Sequence, residues 1–143
     1  MKKITFLLLS LIGFTAHAES TTIFQCKTTN NKIVSVKLIN NVVSYKFGKN
    51  LNNPELAFSV PKKMTSTYQW SGTGSSIYYD VEVPNGKTIY TVYSSLDRMT
   101  EEHPTESGVT VTNKNQQIAT ILCDENKEPY INNLVDVNLP SKN

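Results

Sequence analysis

The sequence has few of the residues from which metal sites and catalytic centres are usually built. It contains two cysteines and two histidines in 143 residues, and His17 lies in an N-terminal segment that we expect to be removed. A zinc site built on histidine needs more than the remaining His103. No G-x-S-x-G sequence is present to place a serine nucleophile beside such a base. We therefore expect a protein that is not an enzyme, with no catalytic residues, no bound metal and no cofactor.

Long apolar runs are absent apart from one at the N-terminus. Two lysines precede an apolar stretch over residues 4–14, which is shorter than the ~20 residues that a membrane-spanning helix needs. The tripeptide AHA at 16–18 has the small-x-small pattern of a signal-peptidase site. We predict a signal peptide over residues 1–18 and a periplasmic or secreted protein with no stable membrane insertion after cleavage. The alternative is a segment that is retained as an anchor or as a buried helix.

An excess of basic charge is also missing once the leader is removed. The formal net charge of the full sequence is +2, and loss of the two leader lysines brings it to zero. The remaining lysines cluster only at Lys62 and Lys63. Proteins that bind nucleic acid carry a basic patch or stripe, so nucleic acid is not an expected partner.

The two cysteines, Cys26 and Cys123, lie near the two ends of the remaining chain. In an oxidising compartment an even number of cysteines indicates a disulfide. The alternative, a redox pair, normally uses a C-x-x-C spacing, whereas these residues are 97 positions apart. We predict one structural disulfide that joins the first strand of the domain to the last.

Helical periodicity is almost absent beyond the leader, and short runs of β-branched and aromatic residues alternate with turn residues. Residues 76–83, for example, place Ile77, Tyr79, Val81 and Val83 on one face of a strand. We predict an all-β domain over 19–123, an antiparallel meander of eight to nine strands that forms a barrel or a sandwich, followed by a polar C-terminal tail over 124–143. The apolar NLVDV sequence in this tail either adds a short strand or lies on the surface. The predicted strands cover 22–27, 32–40, 42–47, 56–60, 65–70, 76–83, 87–95, 108–112 and 116–123.

The sequence WSGTGSS at 70–76 combines two glycines with three serines behind the single tryptophan. A phosphate-binding loop would place such glycines between a strand and the N-terminus of a helix, usually with a lysine. Here a predicted strand lies on each side and no lysine is near. Gly72 and Gly74 instead indicate a bend or a bulge where one strand turns into the next.

Two features are candidates for binding a protein partner. Aromatic residues near the 70–76 stretch could act as anchors, although such rings also commonly pack a core. The polar connection over 96–107 is the longest predicted loop and is acidic, which would attract a basic partner. The alternatives for this loop are a disordered surface excursion and, at 101–103, a solvated turn. The candidate binding residues are Trp70, Ser71, Tyr78, Asp97, Arg98, Glu101, Glu102 and Glu106.

The sequences FQCKTTNNKIVSV, SYKFGK, PELAF, IYTVYSS, GVTV and IATILC resemble a group of small exported all-β proteins of Gram-negative bacteria. More distantly, the cysteine in the opening strand and the all-β pattern are similar to the periplasmic inhibitors of c-type lysozyme. Those inhibitors are β-barrels that present an S-G-x-x-Y motif to the lysozyme cleft. Here Ser71 and Gly72 match the start of the motif, but Ser75 stands at the tyrosine position and the nearest tyrosine is Tyr78.

The resemblance implies a non-enzymatic binding protein of the periplasm. Its partner would be a lysozyme or another cell-wall-degrading enzyme, so that the protein acts as an inhibitor or as an immunity protein. An accessory or structural protein of the envelope is the alternative, and an envelope hydrolase that uses loop carboxylates is a weaker one.

Overall fold

The computed structural model describes residues 12–17 and 19–142. Residues 12–17 are exposed and have no regular secondary structure. Most of the predicted signal peptide, with Ala18 at its cleavage site, lies outside the described residues. The remainder of the described chain forms ten strands and one short 3-10 turn at Lys62–Met64. The strands are β1 (Ser20–Lys27), β2 (Ile33–Ile39), β3 (Val42–Gly48), β4 (Leu56–Pro61), β5 (Ser66–Tyr68), β6 (Ser76–Asn85), β7 (Thr88–Asp97), β8 (Thr105–Asn113), β9 (Gln116–Leu122) and β10 (Tyr130–Asn132).

The strands of the described chain form two five-stranded antiparallel sheets that are not closed into a barrel. The first sheet has the order β10-β1-β2-β3-β4 and the second has the order β5-β6-β7-β8-β9. Two-residue turns join β2 to β3, β6 to β7 and β8 to β9, and residues with positive φ occupy these turns, among them Asn40 (54°) and Gly86 (61°). The prediction of an all-β antiparallel fold is therefore confirmed. Of the two predicted architectures, a barrel and a sandwich, the structure has the sandwich and not the closed barrel.

The core lies between the two sheets. In each strand, apolar residues alternate with polar ones, and the apolar side chains face the other sheet. Val36 and Tyr45 of the first sheet and Val81 and Val92 of the second are all at least 99% buried. Aromatic rings also connect the sheets, since Tyr90 of β7 packs 4.9 Å from Tyr45, measured between ring centroids. Truncation of a fully buried side chain in this core is destabilising, because it loses burial and leaves a cavity.

A disulfide between Cys26 and Cys123 joins β1 to the residue that follows β9, as predicted. Their Cα atoms are 5.8 Å apart. Two backbone hydrogen bonds reinforce the connection, because the amide of Asp124 donates to the Lys27 carbonyl (2.8 Å) and that of Thr29 donates to the Leu122 carbonyl (2.9 Å). The disulfide therefore ties the first sheet to one edge of the second.

The C-terminal segment packs against both sheets. Strand β10 pairs with β1, and Leu134 is completely buried in the core. Further along, the amide of Thr67 donates to the Pro140 carbonyl (2.8 Å), and the amide of Lys142 donates to the Thr67 carbonyl (2.9 Å). The strand in this segment thus lies before the NLVDV sequence, which itself forms no strand and contributes its leucine to the core.

Candidate functional site

The outward side of the second sheet carries a group of aromatic and acidic side chains. On β6, the residues that alternate with buried Val81 and Val83 are Tyr78, Asp80 and Glu82. The pairing of β6 with its neighbours in the sheet places residues of β5, β7 and β8 beside them. We call this surface the aromatic-acidic face; it consists of Tyr68, Tyr78, Asp80, Glu82, Tyr93 and Glu106.

Three tyrosine rings form a row across this face, in which Tyr68 is 38% exposed, Tyr78 is half-buried and Tyr93 is buried. The Tyr68 and Tyr78 ring centroids are 5.9 Å apart, and those of Tyr78 and Tyr93 are 6.1 Å apart with a 19° angle between the ring planes. The row forms because Asp80 pairs with Tyr68 on one side and with Tyr93 on the other. Tyr78 lies two residues before Asp80 on the same side of β6, and its ring lies between the other two. Such rings offer a rigid surface that is apolar in the ring and polar at the hydroxyl.

Asp80 is buried although it lies on the outward side of the sheet, since its side chain is only 6% exposed. Its carboxylate accepts a hydrogen bond from the Tyr68 amide (3.0 Å) and forms an ion pair with Lys142 (2.8 Å). The same ammonium group lies 2.6 Å from a Glu82 carboxylate oxygen. A buried carboxylate requires partners of this kind. Lys142 therefore neutralises one of the two carboxylate charges, and this part of the face stays acidic.

Glu106 extends the acidic character onto β8. Its carboxylate accepts a hydrogen bond of 2.6 Å from the Tyr93 hydroxyl. Burial raises the pKa of the Tyr93 phenol well above its ordinary value, and the hydrogen bond to Glu106 raises it further. Burial also raises the pKa of Tyr78, with an added contribution from the negative charge of Asp80. Both phenols are therefore neutral at physiological pH, and the acidic charge comes from the carboxylates.

The WSGTGSS stretch is a corner between β5 and β6, as its glycines predict. Gly72 and Gly74 have φ values of 92° and 99°, which glycine adopts readily and other residues rarely do. The Trp70 indole N–H donates to the Thr73 carbonyl (2.8 Å), and the Ser71 hydroxyl lies 3.2 Å from that of Thr73. These contacts give the corner a defined shape at one end of the aromatic-acidic face.

The corner is joined to the loop between β7 and β8 by Arg98. Its guanidinium group lies 5.0 Å from the centre of the Trp70 ring and donates to the Gly74 carbonyl (2.8 Å). Its backbone amide donates to the Ser75 carbonyl (2.9 Å). The two candidate regions therefore form one continuous surface through a cation–π contact and two hydrogen bonds.

The loop itself is shorter than predicted. Strand β7 continues through Asp97 and β8 begins at Thr105, so that only residues 98–104 connect them. The strands extend because Leu96 pairs with Thr105 and Ser95 pairs with Glu106. The sequence suggested a loop because these strand ends are polar. Glu106 lies on the outward side of the sheet, whereas Ser107 is buried and donates to Glu125 (2.8 Å).

The predicted acidic residues consequently occupy two different environments. Glu101 and Glu102 are exposed in the loop, whereas Asp97 and Glu106 belong to strands. His103 is exposed, has a φ of 45°, and places its Nδ1 atom 3.0 Å from the Asp97 carbonyl. The contact between His103 and Asp97 shapes the loop.

Five residues of the site were not among the candidates from sequence, and one of them is Tyr68 of β5. Asp80, Glu82 and Tyr93 could have been found from strand alternation, because each lies on the polar side of a predicted strand. Lys142 had no such signal, since its partners lie about sixty positions earlier in the chain.

Within residues 12–17 and 19–142, no group of three or more His, Cys, Asp or Glu side chains is arranged to hold a metal ion. In the same residues, no helix is long and apolar enough to cross a membrane. Comparisons with protein-family models, with curated proteins and with solved structures found no match to this chain. The function must therefore be argued from the surface just described.

Proposed function

We propose that this protein is a non-enzymatic binding protein that works outside the cytoplasm, and that its aromatic-acidic face binds a basic protein. The observation that carries the proposal is the row of tyrosine rings, in which Tyr68 and Tyr78 reach the surface above buried Tyr93, bordered by the carboxylates of Glu82 and Glu106. Tyrosine is enriched among the residues that contribute most to protein interfaces, because its ring buries a large area with little loss of entropy. The disulfide agrees with an oxidising compartment.

Electrostatic complementarity favours a cationic partner. The face and the adjoining loop carry five carboxylates, those of Asp80, Glu82, Glu101, Glu102 and Glu106, against the cations of Lys142 and Arg98. Charges of one sign at the rim of an interface raise the rate of association with a partner of opposite charge. The exposed loop would attract the partner, and the tyrosine row would hold it after contact.

A cell-wall-degrading enzyme is the partner class that we propose, with inhibition or immunity as the outcome. Bacterial cell walls are anionic, so enzymes that bind them benefit from basic surfaces. The distant resemblance of the opening strand and the all-β pattern to lysozyme inhibitors suggested the same class of partner. Because Ser75 replaces the tyrosine of the S-G-x-x-Y motif, we expect the tyrosine row and the 98–104 loop to supply the contacts.

The partner class is tested by capture from extracts. Mature protein, immobilised through a tag, is exposed to periplasmic and host-secretion extracts, and bound proteins are identified by mass spectrometry. Recovery of a basic cell-wall hydrolase that is inhibited by the purified protein would support the proposal. Recovery of envelope assembly components alone would contradict it and would favour an accessory role in the envelope.

The surface is tested by binding kinetics against the hydrolase so identified, with a c-type lysozyme as the first probe. Tyr78→Ala should mainly speed dissociation and cost ~2 kcal/mol or more, about 30-fold in affinity. Tyr78→Phe, which keeps the ring, should lose much less affinity. Equal affinities for wild type and Tyr78→Ala would exclude the tyrosine row as the contact.

The role of the loop is tested by removing its charge. Glu101→Gln with Glu102→Gln should slow association and weaken its dependence on salt, since both side chains are exposed. Glu19→Gln with Glu128→Gln is the matched control, because it also removes two charges and both residues are exposed outside the second sheet. If the control slows association as much as the loop variant, net charge and not the loop attracts the partner.

A further inference from the structure

The two sheets of the sandwich differ in the sign of their charge. Residues 19–65, which contain β1 to β4, have seven lysines and two acidic residues, whereas residues 66–122 have six acidic residues and three lysine or arginine residues. Within the described chain, none of the five strands of the first sheet contains an aspartate or a glutamate. The first sheet is therefore the basic side of the sandwich, and the aromatic-acidic face belongs to the other sheet.

Lys37 of β2 and Lys46 of β3 come close together at the middle of the outward side of the first sheet. Both alternate with core residues of their strands, so both point away from the core. Lys37 pairs with Ser44 and Lys46 pairs with Ser35, which makes the two lysines diagonal neighbours. Diagonal positions on an antiparallel pair are about 7–8 Å apart, within the reach of long side chains. Two lysines that are nine positions apart in sequence thus form one basic group.

The two ammonium groups have no acidic partner among residues 12–17 and 19–142. The ion pairs of this part of the chain include Lys32 with Glu55 (2.8 Å) in the same sheet, but none of them involves Lys37 or Lys46. Like charges on neighbouring strands repel each other. An anion bound between the two lysines would remove this repulsion.

A cleft of about 260 Å³ lies beside the two lysines. Its wall is the loop between β3 and β4, whose shape is fixed because the Asn52 amide donates to the Asn50 side chain (2.9 Å) and the Glu55 amide donates to the Phe47 carbonyl (2.9 Å). We call this site the lysine-serine cleft; its lining includes Ser20, Lys37, Ser44, Lys46, Leu51 and Asn52.

We propose that the lysine-serine cleft binds a phosphate monoester, which is either free in solution or part of a lipid headgroup. At neutral pH a monoester carries a charge of about −1.5 to −2 and three strong acceptor oxygens. Lys37 and Lys46 match this charge, and lysine is a common partner of phosphate. The Ser44 hydroxyl and the Asn52 side-chain amide supply further donors. A carboxylate, with a single charge and two oxygens, would leave one lysine unneutralised.

The lysine-serine cleft goes beyond the proposed function and does not depend on it. The cleft lies on the outward side of the first sheet and the aromatic-acidic face on the outward side of the second, and the two share no residue. Both can therefore be occupied at the same time. A protein held through the cleft at a surface that carries phosphate would keep its aromatic-acidic face accessible to a protein partner.

Titration with glycerol 3-phosphate and with inorganic phosphate, followed by NMR of the backbone amides, tests the site. At a pH of about 8, where the phosphate is a dianion, and at constant ionic strength, saturable shifts should be confined to the strands and the loop that line the cleft. Lys37→Gln with Lys46→Gln should lower the affinity about tenfold or more. Lys87→Gln with Lys114→Gln is the matched control and should bind like wild type, because it also removes two charges and both residues are exposed in turns of the second sheet.

The contribution of the neutral donors is tested by Ser44→Ala, which keeps both lysines. This variant should bind glycerol 3-phosphate a few-fold more weakly than wild type, because one hydroxyl donor is lost. Acetate serves as the monoanionic probe and should bind much more weakly than either phosphate. An equal response to acetate and to glycerol 3-phosphate would overturn the proposal, since screening of surface charge would then explain both.

Flotation with phosphatidylcholine vesicles distinguishes the two sources of phosphate. Vesicles that contain phosphatidic acid, a monoester, should bind wild type if the ligand is a lipid headgroup, and vesicles with the same amount of phosphatidylglycerol, a diester, should bind it less. Binding of glycerol 3-phosphate without vesicle binding would assign the cleft to soluble phosphate esters. Equal binding to both kinds of anionic vesicle would contradict a monoester site.

Circular dichroism and thermal melting establish that each variant is folded before it is compared. The proposal is wrong if neither the two phosphates nor the phosphatidic acid vesicles bind the wild type saturably. It is also wrong if Lys37→Gln with Lys46→Gln binds as tightly as wild type, because the phosphate would then use another surface.

Discussion

Removal of the Cys26–Cys123 disulfide should strongly destabilise the protein without changing its fold. The crosslink spans 97 positions, and closure of a loop of this length is worth about 4.7 kcal/mol in the chain-entropy model. The native state should persist after reduction, because the hydrogen bonds from Asp124 to Lys27 and from Thr29 to Leu122 remain. The effect therefore comes mainly from the greater freedom of the unfolded chain.

Urea unfolding followed by circular dichroism measures this effect. With a dependence of about 2 kcal/mol/M, the midpoint should fall by roughly 2 M when the disulfide is lost. Oxidised and reduced wild type should be compared first, since the two forms have the same side chains. Cys26→Ala with Cys123→Ala then adds the loss of packing from two buried residues. A loss below about 1 kcal/mol on reduction would contradict the entropic argument and would show that the unfolded chain is already restricted.

Three further predictions concern the core, the β8–β9 pairing and the tyrosines. Leu134→Ala should cost about 2–5 kcal/mol in urea unfolding, because the side chain is fully buried; a loss similar to that of an exposed residue would show that the tail does not anchor the fold. Gly108→Ala should lower the midpoint clearly, since its Cβ would press against the Ile121 carbonyl; an unchanged midpoint would mean that β9 moves freely. The raised pKa values of Tyr78 and Tyr93 mean that folding favours the protonated phenols, so stability should be complete below a pH of about 10 and fall above it. Unfolding midpoints across this range should therefore decrease, and Tyr93→Phe should make the decrease shallower.

Strand positions could be predicted well because each strand shows its own alternation of apolar and polar residues. In β6, residues 77–83 alternate between apolar and polar side chains, and the structure buries Val81 and Val83 while it directs Tyr78 and Glu82 outward. The disulfide could also be predicted, since two cysteines allow only one intramolecular pairing. The choice between a barrel and a sandwich could not be predicted, because it depends on how the edges of the two sheets meet.

The candidate site was predicted only in part because its key contacts are distant in sequence. Trp70 and Arg98 were each identified, but the cation–π contact between them depends on how β6 and β7 pair. The burial of Asp80 could not be predicted without Lys142, which lies 62 positions later. Polar residues at the end of β7 and the start of β8 were assigned to a loop, since local sequence cannot distinguish a polar strand end from a turn.

The position of β1 between β2 and β10 has a consequence for the order of folding. Strand β2 follows β1 directly in the chain, but β10 is more than a hundred positions away. Pairing over such a separation raises the contact order and slows folding. As the chain emerges, the hairpins from β1 to β4 can form early, while one side of β1 stays open until β10 arrives. Folding of the first sheet therefore finishes only when the segment after Cys123 docks, and until then β1 is an edge to which other chains can add.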